Sequence, residues 1–549
     1  MKSRTVVILV LITLAAFVLR FNGLGSLPAL NADEAAIGYN AYSLSETGRD
    51  EHGNSWPIHF ESFGDFKPGL VFYLVMPFVK LFGLSILSVR FLPALLGVLT
   101  VPALYFLLVE LFKERKLGIF ASLLLAISPW HIHFSRGAWE VNVATFFMIT
   151  GVWAFLRSRK ENKYLFLSAL FFVLALYAYH SARVIVPLLV LGLLIIYRKN
   201  LFAGKNIGNT LLVGAFSFVV LLPLLNDLRG GAVLARAGGV GIFADRGTLD
   251  RINEQRGQHS ELTGFAAPFL HNKPVGFGLA FAENYLRHFW GEFLFLSGDE
   301  IQRNAVPEMG QLYLFQLPLI LTAFWAIAKK PKSWLPVLLW LIVAPVAAAL
   351  TFQSPHALRS QNMVVPLTII SAYGLIVLVR FLNRKLTSRY LLVTSYLLLV
   401  AVLTWSFSRY LHQYYTHMPK AFPFSSQYGA RELAEYVIDR EDEVEEVYIT
   451  DRYDQPYILL LFYGASAGVE KFMPWNFQDN HVLTPANFGF MTVSRYDKFH
   501  FRNFDWDVYR DFRNVLLVGA SDEVPDIEAN VVEVILFPNG ETAYEIVRQ

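Results

Sequence analysis

Long apolar segments recur between the N-terminus and residue 407 of this 549-residue chain. Each is about 14 to 22 residues long, close to the length that a helix needs to cross roughly 30 Å of hydrocarbon. They lie near residues 5–18, 91–112, 117–130, 142–157, 163–179, 183–197, 209–226, 311–328, 333–351, 362–381 and 389–407. The pattern predicts a polytopic α-helical membrane protein with about eleven transmembrane helices.

Composition supports this class. Hydrophobic residues make up 54% of the chain and charged residues 17%, against roughly 25% charged residues in soluble domains. The net charge of +3 is too small to indicate nucleic acid as a partner. Because the chain has no cysteine, disulfides, thiolate catalysis and cysteine-ligated zinc are excluded.

Short basic runs fall on alternate connections between the apolar segments. They are Lys113 to Lys116, Arg157 to Lys160, Arg198-Lys199, Lys329 to Lys332 and Arg380 to Arg384. The positive-inside rule places such connections in the cytoplasm, so the other connections face outside. The N-terminal MKSR run precedes an apolar segment without a cleavage site and predicts a retained anchor. We therefore expect a plasma-membrane protein with a cytoplasmic N-terminus and an extracytoplasmic C-terminus.

One further apolar segment, Leu70 to Leu84, does not fit this alternation. If it crossed the bilayer, the basic run at Lys113 to Lys116 would lie outside and the later alternation would break. We interpret it as a juxtamembrane or re-entrant helix, with thirteen spans as the alternative to eleven.

The first external loop, residues 21–69, carries an unusual density of polar side chains. Asp33 and Glu34 follow the first span closely, and Lys67-Pro68 lies at the end of the loop. A carboxylate beside the bilayer and shielded from water suits a general base, although a solvated loop or a helix cap would use the same residues. Lys67 can pair with a lipid phosphate or simply snorkel to the interface.

The other external connections also carry candidate site residues. These are His131, His133, Arg136 and Glu140 in one connection, Tyr179, His180 and Arg183 in the next, and His356 and Arg359 in the last. The two histidines of the first connection resemble half of a metal site, which Glu140 or Asp33 would complete. Interfacial histidines without a metal are the alternative, so a divalent cation stays open.

The C-terminal region, residues 408–549, has the composition of a water-soluble domain. Ser425-Ser426 is expected to cap a helix that ends near Asp439, and four β-type runs follow, VYIT, FGFMTV, NVLLVGAS and VVEVILF. We predict a small extracytoplasmic α/β domain after a membrane domain at 1–407, in which a long external loop spans 227–310.

The order of these features resembles the polyprenyl-phosphate-sugar-dependent glycosyltransferases of the GT-C class. An anchor is followed by an external Asp-Glu pair, by Lys-Pro at the end of the loop, and by the run SPWHIHFSRGAWEVN. The class includes protein O-mannosyltransferases and the aminoarabinose transferase of lipid A. The resemblance covers roughly residues 1–380 and is strongest over 1–200.

The resemblance implies roles for particular residues. Asp33 matches the catalytic acid of the first loop, Glu34 its neighbour and Lys67 the lysine that contacts the lipid phosphate, although the family usually has two prolines after that lysine and here Gly69 follows Pro68. Arg136 and Glu140 match a basic residue and a second loop carboxylate. Tyr179, His180 and Arg183 resemble a third external cluster, and His356 and Arg359 are added as candidate donor contacts.

The implied function is inverting transfer of a sugar from a polyprenyl-phosphate donor to a lipid, protein or glycan acceptor on the external membrane face. No certain cofactor is implied, and the sequence has no Walker motif that would bind a nucleotide. A flippase for the same lipid-linked sugar is the alternative. A transporter would place ionisable groups near the middle of the bilayer, whereas here they cluster at one external surface.

Overall fold

The structure is a computed structural model that describes residues 3–201, 206–229, 239–259, 265–485, 491–525 and 529–549. Two predictions fall partly outside these residues. The predicted loop 227–310 includes 230–238 and 260–264, and the predicted strand FGFMTV includes 488–490, and these positions lie outside the described residues.

Helices form in each of the predicted apolar segments. Their bounds are Ser3–Phe21, Ile86–Phe112, Arg115–Ala126 with Pro129–Ser135, Glu140–Ser158, Lys163–Ala178, Ala182–Ile196, Asn206–Arg229, Gln316–Ile327, Leu335–Val343 with Val346–Ala349, Val364–Lys385 and Arg389–His412. Over the described residues, seven helices are long and apolar enough to cross a membrane, or eight if one bent pair forms a single span. The polytopic helical class is confirmed, whereas the count of about eleven spans is not.

The shortfall comes from three predicted spans whose helices are shorter than 18 residues, Lys163–Ala178, Ala182–Ile196 and Gln316–Ile327, and from one bent pair. Gln316–Ile327 has 12 residues, or roughly 18 Å at 1.5 Å per residue, and at its first residue the Gln316 side chain accepts the Tyr313 N–H at 3.0 Å. Arg115–Ala126 and Pro129–Ser135 meet at a 59° bend, where Pro129 lacks the N–H that would continue the first helix. Hydropathy does not register either interruption.

Other helices lie outside the predicted spans. They are Ala32–Thr47, Leu70–Phe82, Arg198–Leu201, Arg246–Gly257, Ala266–Leu270, Lys273–Arg287, Met418–Ala421, Ala430–Arg440, Pro456–Ser466, Pro474–Phe477 and Trp506–Tyr509. The predicted loop at 227–310 therefore contains helices that sequence reasoning missed. Leu70–Phe82 has 13 residues, which is shorter than a span needs, and its juxtamembrane assignment stays a prediction.

The chain divides into two compact units. The helical unit contains Met1–Leu19, Leu96–Phe134 and Glu140–Tyr410, and the sheet unit contains Arg20–Leu95, Ser135–Trp139 and Leu411–Gln549. The predicted boundary at 407/408 stays a prediction for the membrane and aqueous parts. Compact packing divides the chain differently, because the first external loop packs together with the C-terminal residues.

The sheet unit holds nine described strands in two sheets. They are β1 (His59–Ser62), β2 (Asp65–Pro68), β3 (Glu446–Thr450), β4 (His481–Pro485), β5 (Met491–Tyr496), β6 (Phe499–Arg502), β7 (Val515–Gly519), β8 (Val531–Leu536) and β9 (Thr542–Arg548). β1 and β2 form an antiparallel hairpin that pairs Phe60 with Lys67. The others form a mixed sheet in the order β4-β5-β6-β3-β7-β9-β8, in which β3 runs parallel to both of its neighbours.

The C-terminal prediction is correct in outline. The runs VYIT, NVLLVGAS and VVEVILF form β3, β7 and β8, and the described part of FGFMTV begins β5. β4, β6 and β9 were missed. The predicted cap at Ser425-Ser426 is wrong, because the helix starts at Ala430 after Gly429, whose φ of 86° favours glycine at that position.

The first-loop helix Ala32–Thr47 is anchored on the C-terminal residues of the sheet unit. A Cβ atom at Gly38 would lie 2.7 Å from the Phe462 ring, so only glycine permits this approach. Tyr39 donates its hydroxyl proton to the Phe472 carbonyl at 2.9 Å. The Gln478 side-chain amide donates to the Asp50 carbonyl at 2.9 Å. The loop that carries the candidate acid pair is therefore a packed part of a folded unit.

The alternation of basic runs makes the topology testable. A reporter fused after Lys116, Lys160 or Lys332 is expected to report the cytoplasm, and one fused after Gln549 the outside, because basic connections are retained on the cytoplasmic side. Alkaline phosphatase and fluorescent-protein fusions provide the opposite readouts for the two sides. A cytoplasmic C-terminus would contradict the predicted orientation.

Candidate active site

The first-loop helix begins with a complete capping box. The Asn31 side chain accepts the Glu34 N–H at 3.1 Å, and Glu34 Oε2 accepts from the Asn31 backbone N–H at 3.5 Å. Asp33 and Glu34 thus both lie in the first turn of the helix, where the helix dipole favours negative charge. The cap fixes the direction of the Glu34 carboxylate.

Asp33 and Lys67 form an ion pair, although 34 positions separate them in the chain. Lys67 Nζ donates to Asp33 Oδ1 at 2.6 Å, and the ammonium also lies 5.0 Å from the ring centroid of Phe63. The Lys67 side chain is 9% exposed, whereas that of Asp33 is 29% exposed. The hairpin therefore buries the lysine stem and presents a carboxylate beside a fixed cation.

Glu34 has a different environment from its neighbour. Its side chain is 1% exposed, and it forms a bidentate pair with Arg90, from Nε to Oε1 at 2.7 Å and from Nη2 to Oε2 at 2.5 Å. Glu34 Oε1 also accepts the Ala138 N–H at 2.8 Å. These bonds hold the carboxylate inside the protein, so the geometry gives Glu34 a positioning role beside Asp33.

Arg90 completes this buried hub and was missed in the sequence analysis. Its guanidinium donates to three carbonyl oxygens of the segment that leads into the first-loop helix, those of Leu24, Pro28 and Ala29, at 2.9 to 3.0 Å. The side chain is fully buried. An arginine among apolar residues is costly unless it is paired, and that is the sequence signal that would have found it.

Arg136 also contacts backbone carbonyls. It donates to the carbonyls of Arg20 at 3.3 Å and Leu27 at 3.0 Å, and its Nε donates to the Tyr414 hydroxyl at 3.1 Å. Its guanidinium lies over the rings of Tyr414 and Tyr415. The side chain is buried, so these contacts favour a structural role over the predicted contact with donor phosphate.

The remaining predicted site residues lie in the helical unit. Glu140 is the first residue of the helix Glu140–Ser158. Arg183 donates to the Leu176 carbonyl at 3.2 Å, and its Nη1 lies 3.2 Å from His180 Nδ1. Tyr179, at the end of the preceding helix, is buried. The predicted Tyr179, His180 and Arg183 cluster is therefore brought together locally.

His356 and Arg359 belong to another network within the helical unit. His356 Nδ1 lies 3.7 Å from Asp299 Oδ2, and its backbone N–H donates to His288 Nε2 at 3.2 Å. Arg359 donates to the Thr351 hydroxyl at 2.7 Å. Burial raises the pKa of Asp299 and lowers that of His288 to about 4. Asp299 and His288 were not predicted.

The proposed half metal site does not gain the ligands it needs among the described residues. His133 Nε2 lies 3.0 Å from the Arg303 carbonyl. Over the part of the chain that the structure describes, no group of three or more His, Cys, Asp or Glu side chains is arranged to hold a metal ion. The candidate site of the sheet unit therefore consists of the Asp33–Lys67 pair and the Glu34–Arg90 hub.

Solved structures with similar folds belong to one class. ArnT from Cupriavidus metallidurans bound to undecaprenyl phosphate matches with a TM-score of 0.55 and 12% identity, covering 100% of this chain and 98% of that one. The archaeal oligosaccharyltransferase AglB from Archaeoglobus fulgidus, in complex with an inhibitory peptide and a dolichol-phosphate, matches with a TM-score of 0.50 and 16% identity, covering 84% of this chain. This chain spans 64% of the length of AglB. The fold is that of the GT-C glycosyltransferases.

The family match is more specific. Residues 10–225 match the model of the dolichyl-phosphate-mannose-protein mannosyltransferase family. The resemblance drawn from the sequence is therefore confirmed. The match contains Asp33, Glu34, Lys67 and Arg90. No curated protein sequence matches the chain.

Proposed function

We propose that this protein is an inverting glycosyltransferase that moves a sugar from a polyprenyl-phosphate donor to an acceptor at the external membrane face. The observation that carries the proposal is the Asp33–Lys67 ion pair at 2.6 Å, a part-exposed carboxylate beside a buried lysine in the matched family region. A transferase of this kind needs those two groups, one for the acceptor proton and one for the phosphate.

The reaction is a single displacement. The acceptor oxygen or nitrogen attacks the anomeric carbon while its proton passes to Asp33, and the bond between that carbon and the phosphate oxygen breaks. The products are the glycosylated acceptor and polyprenyl phosphate, which carries the electron pair of the broken bond. Attack opposite the leaving group inverts the anomeric centre. Proton transfer to a positioned carboxylate contributes about 10² to 10⁴ in rate.

Lys67 is proposed to bind the phosphate, which is the leaving group. Without donor it pairs with Asp33, and a phosphate at the same place would attract it through a charge-assisted contact. Moving the ammonium toward the phosphate loosens its hold on Asp33, so donor binding prepares the base for the acceptor. Lys67 then stabilises the charge that develops on the phosphate as the glycosidic bond breaks.

The comparison structures support a lipid-phosphate donor. ArnT was solved with undecaprenyl phosphate and AglB with a dolichol-phosphate. The sugar and the acceptor stay open, because one of these proteins was solved with an inhibitory peptide and the family match names a protein mannosyltransferase. Arg183, with Tyr179 and His180, is proposed as a further donor contact, as are His356 and Arg359, and Glu140 as a second carboxylate.

The direct test supplies purified protein in lipid with defined polyprenyl-phosphate sugars. Mass spectrometry of acceptor fractions from cells with and without the gene identifies the acceptor, and the anomeric configuration of the product reports inversion. Retention of configuration would contradict the single displacement. If the protein moves intact lipid-linked sugar across vesicle membranes but transfers no sugar to an acceptor, the flippase alternative would be favoured.

Removing the phosphate contact is expected to weaken use of the donor. Lys67→Ala should raise the apparent KM for the donor roughly 10- to 100-fold, because a hydrogen bond to a charged group contributes about 1.5–3 kcal/mol. Arg183→Ala should raise it in the same direction. The measurement is the initial rate over a donor series at saturating acceptor.

Lys80→Ala is the matched control for Lys67→Ala. Lys80 lies in the last turn of the helix Leu70–Phe82 and is exposed, so its loss removes the same charge without touching the site. Lys67→Arg keeps the charge and should retain part of the affinity. An unchanged donor requirement in both Lys67→Ala and Arg183→Ala would contradict the phosphate assignment.

A further inference from the structure

Glu51 is a fully buried carboxyl group that the proposed reaction does not use. It lies just after the first-loop helix, and its side chain has no exposed surface. Asn40 holds it from two directions, since the Asn40 amide donates to Glu51 Oε1 at 3.1 Å and the Glu51 N–H donates to Asn40 Oδ1 at 2.8 Å. The position of this carboxyl is therefore fixed by the fold.

The other carboxyl oxygen, Oε2, is buried without a hydrogen-bond partner among the described residues. A buried charge with one neutral donor is strongly disfavoured, whereas a neutral carboxyl is far less costly to bury. Burial accordingly raises the pKa of Glu51 to about 8, against the smaller opposing effect of the hydrogen bond from Asn40.

A chain of two histidines lies on one side of Glu51. His481 Nδ1 lies 3.0 Å from the Phe477 carbonyl, which can only accept, so Nδ1 carries a proton. His481 Nε2 therefore accepts from His52 Nδ1 at 3.0 Å when both rings are neutral. This leaves the lone pair of His52 Nε2 toward Glu51 Oε1, at 3.7 Å.

His52 supplies no positive charge to Glu51. Burial and, to a smaller extent, the neighbouring His481 together lower the pKa of His52 to about 4. A lone pair facing the carboxyl suits a protonated acid, which can donate toward it after a small rotation. Both the lone pair of His52 Nε2 and the absence of a positive charge on His52 therefore favour the neutral form of Glu51.

Lys67 is the cation that acts on Glu51. The titratable groups that face Glu51 are Asp50, Glu61, Lys67, His52, Tyr39 and Tyr457. Asp50 and Glu61 carry negative charge and oppose ionisation of Glu51, and both tyrosines have raised pKa values that keep them neutral. Lys67 attracts the ionised form of Glu51, but its ammonium is bonded to Asp33.

We propose that Glu51 is a positioning residue that stays protonated while the enzyme works, and so leaves the charge of Lys67 to Asp33 and to the donor phosphate. Ionisation of Glu51 places a second buried carboxylate near Lys67, which then competes with the phosphate for the ammonium. Donor binding weakens as a result, while the chemistry of bound donor is little affected. This inference rests on the proposed function for its kinetic consequence.

Glu51→Gln separates this role from a purely structural one. Glutamine reproduces the shape and the neutral charge of the protonated acid, so the variant should keep near wild-type turnover at neutral pH. In the wild type, the KM for donor should rise above about pH 8 by up to about tenfold per pH unit with kcat nearly constant. In Glu51→Gln that rise should disappear.

Protein stability gives a second measurement of the protonation of Glu51, and it does not depend on transferase activity. Since the pKa of Glu51 is higher in the folded state, about 8 against 4.5, its contribution to the free energy of unfolding is fully present below pH 4.5 and is lost as pH rises toward 8. The midpoint of thermal unfolding of the full-length protein in detergent should therefore fall with pH more in the wild type than in Glu51→Gln. Infrared difference spectra should show the loss of a protonated carboxyl signal in the variant.

The outcomes are distinct. Parallel stability curves in wild type and Glu51→Gln, with no protonated carboxyl signal lost, would overturn the inference. So would an alkaline rise in donor KM that persists in Glu51→Gln. If the wild type transfers no sugar from any donor, the proposed function fails, and the stability and infrared measurements still decide the protonation of Glu51.

Discussion

Asp33→Asn is expected to lower the rate of sugar transfer by about 10² or more, the usual scale for the loss of a general base. Asparagine has nearly the same shape and its carbonyl oxygen can still accept from Lys67, which lies 2.6 Å from Asp33 Oδ1 in the native site. It cannot take the proton of the acceptor. The variant should insert normally and bind the lipid donor with little change in KM, so the loss should appear in kcat.

Glu46→Gln is the matched control. Glu46 is exposed in the last part of the same helix, so the substitution makes the same carboxylate-to-amide change without reaching the site. Activity close to wild type is expected there. Full turnover in a folded Asp33→Asn protein would contradict the assignment and move the base to Glu140, the second carboxylate that the family resemblance indicates.

The difference between Asp33 and Glu34 shows what sequence reasoning could and could not provide. The family resemblance singled out both carboxylates and assigned Lys67 to the donor phosphate. The structure brings Asp33 and Lys67 together across 34 positions. It separates the two acids by environment, because Glu34 is buried against Arg90. Adjacent residues on a helix point in different directions, and a sequence does not state which one faces inward.

Arg90 was missed for a related reason. It directly precedes the predicted span at 91–112, and the sequence analysis gave it no role. In the structure the helix starts earlier, at Ile86, and Arg90 lies inside it. A buried arginine must have partners, but those partners come from the first-loop helix and from the segment before it. Such pairings depend on tertiary packing that hydropathy does not contain.

Contacts between the first loop and the C-terminal residues, which are far apart in the sequence, could not be predicted either. Composition indicated a water-soluble α/β region, and four of its seven described strands were found from β-type runs. Nothing in the local pattern shows that Phe462 packs on Gly38 or that Gln478 contacts the Asp50 carbonyl. These contacts fix the helix that carries Asp33. A role for the C-terminal residues in holding the candidate site is thus visible only in the folded unit.

The largest stability effect is expected from breaking the Glu34–Arg90 pair on one side. Arg90→Met leaves the Glu34 carboxylate buried with only N–H and amide donors, and it removes the donor for three carbonyl oxygens. Removing one partner of a buried ion pair costs about 3–5 kcal/mol. Thermal unfolding of the purified protein in detergent should show this loss as a clearly lower midpoint, with reduced transfer because the Asp33 turn is no longer held.

Glu34→Gln separates the contribution of the Glu34 charge to stability from that of its shape. Its amide keeps one acceptor for Arg90 and for the Ala138 N–H, so it should destabilise less than Arg90→Met. The double variant Glu34→Gln with Arg90→Met should be less destabilised than the sum of the two single variants, because neither charge is then left buried alone. Arg49→Ala, at an exposed position after the same helix, should leave the midpoint unchanged. A midpoint in Arg90→Met equal to that of wild type would show that the pair does not hold the first-loop helix, and Glu34 would return to the list of candidate catalytic groups.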